Sequence, residues 1–382
     1  MLKKLILHNF KSHKSTELNF DNSRLHGLVG KNSAGKTSVL QALHYLSMLA
    51  DSSFEKIFEY DRSPQFITTI AERDMFVTAN GFWQNENTKN WEISYSWEEE
   101  NTNNWTPTLS WNIDGNEGIW INKKVVFGAY SMPYPSLLFN FLNPTVYLKL
   151  IASNLAKAAY SEEITPRVEF DGSLLAPTLD FLRDEAPDKF QLIEEEKLSR
   201  IVPNVRKVGI KRAKVPVIRK RLIEVDGKSI SYEETQEMTG QEIVLDMNTG
   251  ERIPAHAISE GTMLTLGLLT VLMNPNQPNL VLLDDVEQGL HPQAQRELMN
   301  VFKEIIAENP NLQIIFSTHS PYIMDALVPS QVHILNNSKS GFTMSKRLDE
   351  HPDVEWAKET LTTGEFWDAE GEDWVVEGEI SD

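Results

Sequence analysis

Eight residues near the start of the chain, Gly30-Lys31-Asn32-Ser33-Ala34-Gly35-Lys36-Thr37, have the types and spacing of a loop that holds phosphate. Gly30 and Gly35 let the backbone turn tightly enough for successive N–H groups to converge on one concavity. A helix starting at the end of the loop would add the positive end of its dipole. Lys36 would reach the β- and γ-phosphates of a nucleotide, and the Thr37 hydroxyl would complete a Mg²⁺ shell shared with it. The flanks agree: residues 25–29 read as a strand entering the loop, and 38–49 as a helix leaving it. A plain glycine turn between strand and helix is the bland alternative, and loop, Lys-Thr pair and flanks together argue against it.

A phosphate loop hydrolyses nothing without a metal-binding carboxylate, and residues 280–285 supply a candidate. Leu280-Val281-Leu282-Leu283 is a short unbroken apolar run, the pattern of a strand buried on both faces, and it ends in Asp284-Asp285. Open parallel sheets bind ligands at that end of their strands. Asp284 is therefore the expected Mg²⁺ partner, and Asp285 the group that orients or deprotonates an attacking water. A solvated acidic turn is the alternative, and the phosphate loop in the same chain argues against it. A second apolar strand, residues 313–317, delivers Thr318-His319-Ser320-Pro321 to a similar position, where His319 could donate to a γ-phosphate or to the attacking water.

Taken with Ser259-Glu260-Gly261-Thr262, with Val286-Glu287-Gln288-Gly289-Leu290-His291-Pro292 and with the opening Leu5-Ile6-Leu7-His8-Asn9-Phe10-Lys11-Ser12, these motifs resemble the ABC-type ATPases of the RecF, SMC and OLD group. The resemblance covers both ends of the chain and not its middle. It implies a fold that takes ATP and Mg²⁺, with residues Gly30, Lys31, Asn32, Ser33, Ala34, Gly35, Lys36 and Thr37 around the phosphates and Thr37 and Asp284 on the metal. It further implies that Ser259, Glu260 and Gly261 form the signature element, in place of the more usual serine-glycine-glycine, and cap the γ-phosphate held by a partner copy. ATP would then join two chains head to tail, as a homodimer or a higher even oligomer, with residues 288–292 running along the seam. Read from the residues alone, Ser259 stands where an N-cap would, ahead of an apolar helix over 263–273, so that an anion site and an ordinary capped helix start are both open.

Two features depart from the family pattern. Asp285 stands where glutamate is usual, so its carboxylate would sit roughly 1.5 Å back from the usual place, and misplacement on that scale can lower a rate on the order of 10²-fold. Slow turnover and a long-lived ATP-bound dimer are the expectation, with Glu287 as a substitute base. The glutamine loop of such ATPases has only weak candidates, Gln65 and residues 130–136.

At 382 residues the chain is long enough for one large or two ordinary domains. No run nears the roughly 18 apolar residues of a membrane span. Residues 1–4 lead into strand-like alternation rather than a signal peptide, and cysteine is absent, which removes disulfides and thiolate metal sites. A cytoplasmic protein without membrane partners is the expectation. The formal charge of −19 argues against wrapping nucleic acid with the whole surface. Residues 206–221 form a basic island: Arg206, Lys207, Lys211, Arg212, Lys214, Arg219, Lys220 and Arg221 could track a DNA or RNA backbone, or form the solvated face of a hairpin whose lysines guard an edge. Near the C-terminus Gly364-Glu365-Phe366-Trp367 and Glu372-Asp373-Trp374 mix acids with aromatics. Such a stretch serves as an interaction segment, or its rings dock on the core.

These landmarks give an α/β fold: an ABC-type P-loop nucleotide-binding domain with a central, mostly parallel sheet, split between residues 1–50 and 250–345. An antiparallel β subdomain is expected over 75–130, where Trp83, Trp91, Trp97, Trp105, Trp111 and Trp120 recur at strand spacing as core residues or, alternatively, as base-stacking platforms. A helical and basic β insertion over 137–249, with helices at 137–159 and 174–198, would form a compact lid, followed by an acidic aromatic tail over 346–382. The resemblance implies a switch that dimerises on ATP and serves a separate effector, a nuclease or toxin, as in bacterial anti-phage defence. OLD-type members carry a nuclease domain after the ATPase, and this chain ends too soon after His319 to hold one. A RecF-like DNA-binding ATPase of repair or recombination is the alternative, and a degenerate nucleotide-binding structural subunit a third.

Overall fold

Strand β3 (Leu25–Gly30) is buried along its whole length and delivers Gly30 to the loop that follows. In this computed structural model residues 1–48, 67–70, 72–84, 88–101, 104–121, 124–128, 145–225, 228–276 and 278–376 are described. The candidate glutamine-loop positions, Gln65 and 130–136, lie outside them. The chain divides into two units, the first comprising Met1–Tyr147, Pro278–Glu287 and Phe302–Asp382.

In the first unit β3 is central to a six-stranded sheet with β9 (Thr145–Leu148), β13 (Leu280–Leu283), β14 (Gln313–Thr318), β15 (Val332–Asn337) and β16 (Thr343–Arg347). Their order is β16-β15-β3-β14-β13-β9; β15, β3, β14 and β13 run parallel, and β16 returns antiparallel on β15. This is the mostly parallel sheet expected from the two apolar runs. The helix expected at 137–159 is corrected over its described part: Thr145–Leu148 is a strand, and among the described residues of this stretch helix is confined to one turn, Ala152–Leu155. The run Thr145-Val146-Tyr147-Leu148 is β-branched and aromatic, a composition that favours a sheet edge over a helix. Residues 137–144 are outside the described ones.

A seven-stranded antiparallel sheet completes the unit. It contains β1 (Leu2–Phe10), β2 (His13–Asn19), β4 (Asp74–Gln84), β5 (Thr88–Asn101), β6 (Asn104–Ile113), β7 (Asn116–Ile121) and β8 (Lys124–Gly128), in the order β2-β1-β4-β5-β6-β7-β8. Period-two patterning drives it: Trp91, Ile93, Tyr95 and Trp97 alternate on β5 and are all buried. Asp114 and Gly115, both at positive φ, join β6 to β7 as a two-residue hairpin with Ile113 opposite Asn116. Helix α1 (Lys36–Met48) buries Val39, Leu40, Leu43 and Leu46 against strands of both sheets, which explains its lack of a polar face. Trp91, Trp97 and Trp111 are therefore core, not platforms for bases. The side chains of Trp83, Trp105 and Trp120 are outside what is described.

The expected tail is folded as far as Val376. Helices Val354–Thr360 and Thr363–Glu370, the second with a Thr362–Glu365 capping box, bury Phe366, while Trp374 packs edge-on against His351. These two rings are core residues, so the docked alternative holds for them.

The second unit, Leu148–Gln277 with Gln288–Val301, mixes helices with a hairpin. The stretch expected as one helix over 174–198 is Leu175–Glu185, then Pro187–Leu192 widening into a π-helical turn, Ile193–Leu198. Pro187 at the start of the second piece forces the break. Helix Glu260–Leu272 is buried at every residue from Gly261 onward and forms the core around which the other helices pack. Strands β10 (Val205–Val225) and β11 (Lys228–Met247) pair over their full length, and β12 (Arg252–Pro254) adds a third strand at the root.

Burial holds His13 and His44 at a pKa of about 4, well under the ordinary histidine value. The unfolded chain takes up these protons near pH 6.5 and the folded chain only near pH 4, so their contribution to stability is full above pH 6.5 and is lost as pH falls toward 4. The two pKa values translate to roughly 2 kcal/mol per ring at pH 5. Denaturant titrations at pH 7.5 and pH 5 should show this fall, to which the buried His26 and His333 add in the same sense, and His44→Gln should lessen it by roughly 2 kcal/mol; equal midpoints at the two pH values would contradict the buried neutral rings.

Candidate functional site

The loop expected to hold phosphate is folded as a concavity. Gly30, Ser33 and Gly35 all have positive φ, and a Cβ on Gly30 would lie 2.1 Å from the Leu335 carbonyl oxygen, so only glycine fits there. Helix α1 begins at Lys36, directly after the loop. The Lys36 ammonium lies across the loop, donating to the carbonyls of Gly30 at 2.8 Å and Lys31 at 3.1 Å. Burial pulls it below the ordinary lysine value, while the charges of Asp285, Asp284, Glu287 and Glu372 act in the opposite sense. Lys31 is exposed and pairs with Asp373 at 2.8 Å; Asn337 donates to the Ser33 carbonyl at 3.2 Å. Asn32 is exposed and Ala34 buried.

Parallel pairing of β3, β14 and β13 places the carboxyl ends of these strands side by side, which brings Thr37 and Asp284 together across 247 residues. The Thr37 hydroxyl lies 3.1 Å from both Asp284 oxygens. A hydroxyl and a carboxylate so close are hard oxygen donors of the kind Mg²⁺ takes, with the rest of its shell left to phosphate and water. The residues present fit that ion, which when bound would draw charge from phosphate oxygens. Among the described residues no cluster of three or more His, Asp or Glu side chains could hold a metal by itself.

Sequence reading missed Ser317, which ties the acidic pair together. Wholly buried near the end of β14, it donates to Asp284 at 2.7 Å and accepts from the Asp285 N–H at 2.8 Å. The one signal was a polar residue closing an apolar strand. Asp285 has φ +54°, so the chain turns out of β13 at that residue and its carboxylate does not continue the strand line. Glu287 accepts the backbone N–H of His319 at 2.8 Å through one oxygen, while its other oxygen is buried without a hydrogen-bond partner among the described residues. His319 itself is exposed at the strand end. Tyr147 was also missed: burial, then the charges of Asp284 and Asp285, hold its phenol well above the usual value.

In the second unit Ser259 occupies the N-cap position of helix Glu260–Leu272 without capping it. Its hydroxyl pairs instead with Thr262 at 2.7 Å, and among the described residues no side chain takes up the first N–H groups of the helix. A Cβ on Gly261 would lie 2.3 Å from the Gly289 carbonyl oxygen, so residues 259–261 pack tightly on the 288–292 loop. Ser259 and Glu260 are exposed.

The basic island lies on β10 with an acidic strand opposite. Lys211 pairs with Glu242 at 2.5 Å, Lys214 with Glu237 at 2.9 Å, Arg221 with Glu234 at 2.8 Å, and Arg219 with Glu162. Arg206, Lys207, Arg212 and Lys220 have no carboxylate at ion-pair distance among the described residues. Half of the eight bases of residues 206–221 are thus paired with carboxylates and half are not.

Comparison with known proteins places these features. Residues 143–325 match the family described as "AAA domain, putative AbiEii toxin, Type IV TA system", and residues 1–102 match the AAA ATPase domain. A retron Vc95 probable ATPase of Vibrio cholerae serotype O1 biovar El Tor is 29% identical over 107 residues, 24% of this chain and 20% of that protein. The DNA replication and repair protein RecF of Leptospira biflexa is 38% identical over 76 residues, 19% of this chain and 20% of that protein. This chain thus spans about a fifth of the length of the curated relatives it matches. The crystal structure of an SMC head bound to the C-terminal winged-helix domain of ScpA superposes at a TM-score of 0.55, with 15% identity and coverage of 91% of this chain and 98% of that one. At that identity the likeness is one of fold.

Ser317→Ala would take one hydrogen bond from the buried Asp284 carboxylate, which keeps Thr37, and would remove the hydroxyl that accepts the Asp285 N–H. A loss of about 1–3 kcal/mol of unfolding free energy is expected in denaturant; an unchanged midpoint would show that the hydroxyl does not hold the acidic pair.

Proposed function

We propose that this chain is an ABC-type P-loop ATPase domain of the RecF, SMC and OLD-like group that binds ATP with Mg²⁺ and hydrolyses it slowly as a dimerising switch. The observation that carries the reading is the Thr37–Asp284 contact at the foot of a phosphate loop whose lysine is buried among carboxylates. Lys36 and the loop N–H groups bind the triphosphate, Thr37 and Asp284 hold the metal, and Asp285 orients or deprotonates water. Glu287 is spent in part on the His319 backbone, which positions His319 and makes Glu287 a poor substitute base.

Ser259, Glu260 and Gly261 would cap the γ-phosphate bound by a second copy. Their support is an uncapped, exposed helix start seated on the 288–292 loop. The switch would serve a separate effector, a nuclease or toxin, in bacterial anti-phage defence; the match to a retron ATPase favours this setting. The RecF match favours a second reading, a DNA-binding ATPase of repair or recombination. The ion-paired state of the basic strand weighs against that alternative.

Wild-type protein should elute as monomer alone and as dimer or higher even oligomer with Mg-ATP, with turnover below ~10 s⁻¹, the general median for enzymes. Lys36→Ala should abolish ATP binding, and Asp285→Asn should hold the ATP dimer for longer than wild type does. A monomer at saturating ATP by light scattering would remove the head-to-tail proposal. DNA affinity measured against salt, with Lys211, Arg212 and Arg219 changed to Glu, separates the readings: a flat dependence untouched by the changes eliminates DNA.

A further inference from the structure

We infer that His13 is a positioning residue for nucleotide binding, acting through the Gly35 carbonyl at the back of the phosphate loop. The inference rests on the reading of residues 30–37 as a nucleotide site. His13 opens β2, directly after the tight turn in which Lys11 takes φ +53°, and its side chain is wholly buried. Nε2 lies 3.1 Å from the Gly35 carbonyl oxygen and Nδ1 lies 3.0 Å from the Thr16 hydroxyl, which itself is 3.1 Å from the Thr343 carbonyl. Ser12 and Thr343 close the arrangement, hydroxyl to hydroxyl at 2.7 Å and backbone to backbone at 2.8 Å.

A carbonyl can only accept, so a neutral imidazole bonded to Gly35 carries its proton on Nε2, and its Nδ1 then competes with the Thr343 carbonyl for the one Thr16 hydroxyl proton. Burial keeps the ring neutral across the physiological range. Gly35 also accepts the Val39 N–H at 3.2 Å, the first bond of α1, and His13 takes the second lone pair.

The geometry explains why this matters for an anion. The Gly35 carbonyl and the Lys36 N–H belong to one planar peptide and point in opposite directions. Fixing the carbonyl from behind therefore aims the Lys36 N–H forward into the loop, and the added bond polarises the same peptide. The fit leaves no slack: a Cβ on Gly35 would lie 2.6 Å from the Thr343 hydroxyl and 2.7 Å from His13 Nε2. Neither His13 nor Thr343 belongs to the glycine-lysine-threonine motif, yet both set the shape of its second glycine.

The test compares Mg-ATP affinity and turnover in wild type, His13→Ala, His13→Phe and His13→Gln, with thermal melts of each and Lys36→Ala as control. His13→Ala and His13→Phe should raise the Kd and KM for ATP about tenfold or more, with kcat changed far less. His13→Phe keeps the ring volume without the donor and so separates loss of fold from loss of the bond. His13→Gln, whose amide N–H can reach the same carbonyl, should restore affinity to within about threefold of wild type. The inference is overturned if folded His13→Phe binds ATP as wild type does, or if His13→Gln melts normally yet binds as poorly as His13→Phe. Wild type that takes up no ATP removes the nucleotide reading and this one together, whereas wild type that binds ATP and is indifferent to position 13 removes this one alone.

Discussion

The contact between the Thr37 hydroxyl and the Asp284 carboxylate is the constraint on which the first unit depends. Two groups 247 residues apart meet within 3.1 Å only if their strands run parallel and end at one level. β14 meets that requirement by lying between β3 and β13, in register with both. Ser317 at its end then bridges to both aspartates, so the intervening strand serves as scaffold and as a hydrogen-bonding partner at once. A buried carboxylate needs such partners, because desolvation disfavours its charge. Helix α1 follows from the same arrangement: it is buried between two sheets because Lys36 and Thr37, at its first turn, must face the ends of β13 and β14.

What could be read in the sequence is what is local. Glycines 30 and 35, the Lys-Thr pair and an apolar run ending in two aspartates are contiguous, and each states its conformation within a few residues. The alternating tryptophans of β5 and β6 revealed an antiparallel sheet for the same reason. Ser317, His13 and Thr343 were illegible because their roles come from contacts across 22 to 331 residues, and nothing in their neighbours announces them. Residues 145–148 were misread as helix because a four-residue apolar run has no period, and the choice between strand and helix was made by the free edge of β13. The aromatic tail was open between docking and display. His351 and Lys346, which lie against the Trp374 ring, belong to other elements, and nothing beside the ring in sequence marks them.

Asp285 shows how a departure from a pattern can be absorbed locally. One methylene less would draw the carboxylate back if the backbone continued as a strand. With φ at +54° it does not continue, and Asp is among the few non-glycine residues that take this conformation at modest cost. The turn is held by two bonds to one residue, the Asp285 N–H to the Ser317 hydroxyl and the Val286 N–H to the Ser317 carbonyl. The position of the carboxylate is thus set by Ser317 as much as by side-chain length. Glu287 is longer, yet its bond to the His319 backbone turns it toward the end of β14.

The β10–β11 ribbon is a case in which composition misleads unless pairing is known. Eight bases within sixteen residues would create a strong positive field if they stood alone. Antiparallel pairing sets Lys220 opposite Glu233, Arg219 opposite Glu234 and Lys211 opposite Glu242, so positive charge on one strand meets negative charge on the next. Such exposed pairs add little stability, about 0–1 kcal/mol each. Their larger effect is to cancel the field within a few ångströms, so at longer range the surface is governed by the net charge of −19. A polyanion approaching Lys211, Lys214, Arg219 or Arg221 would have to displace a carboxylate already in place, and the counterion release that drives such binding is reduced at those four positions. The ribbon thus carries the composition of a nucleic-acid binder with half of its basic island already paired to carboxylates.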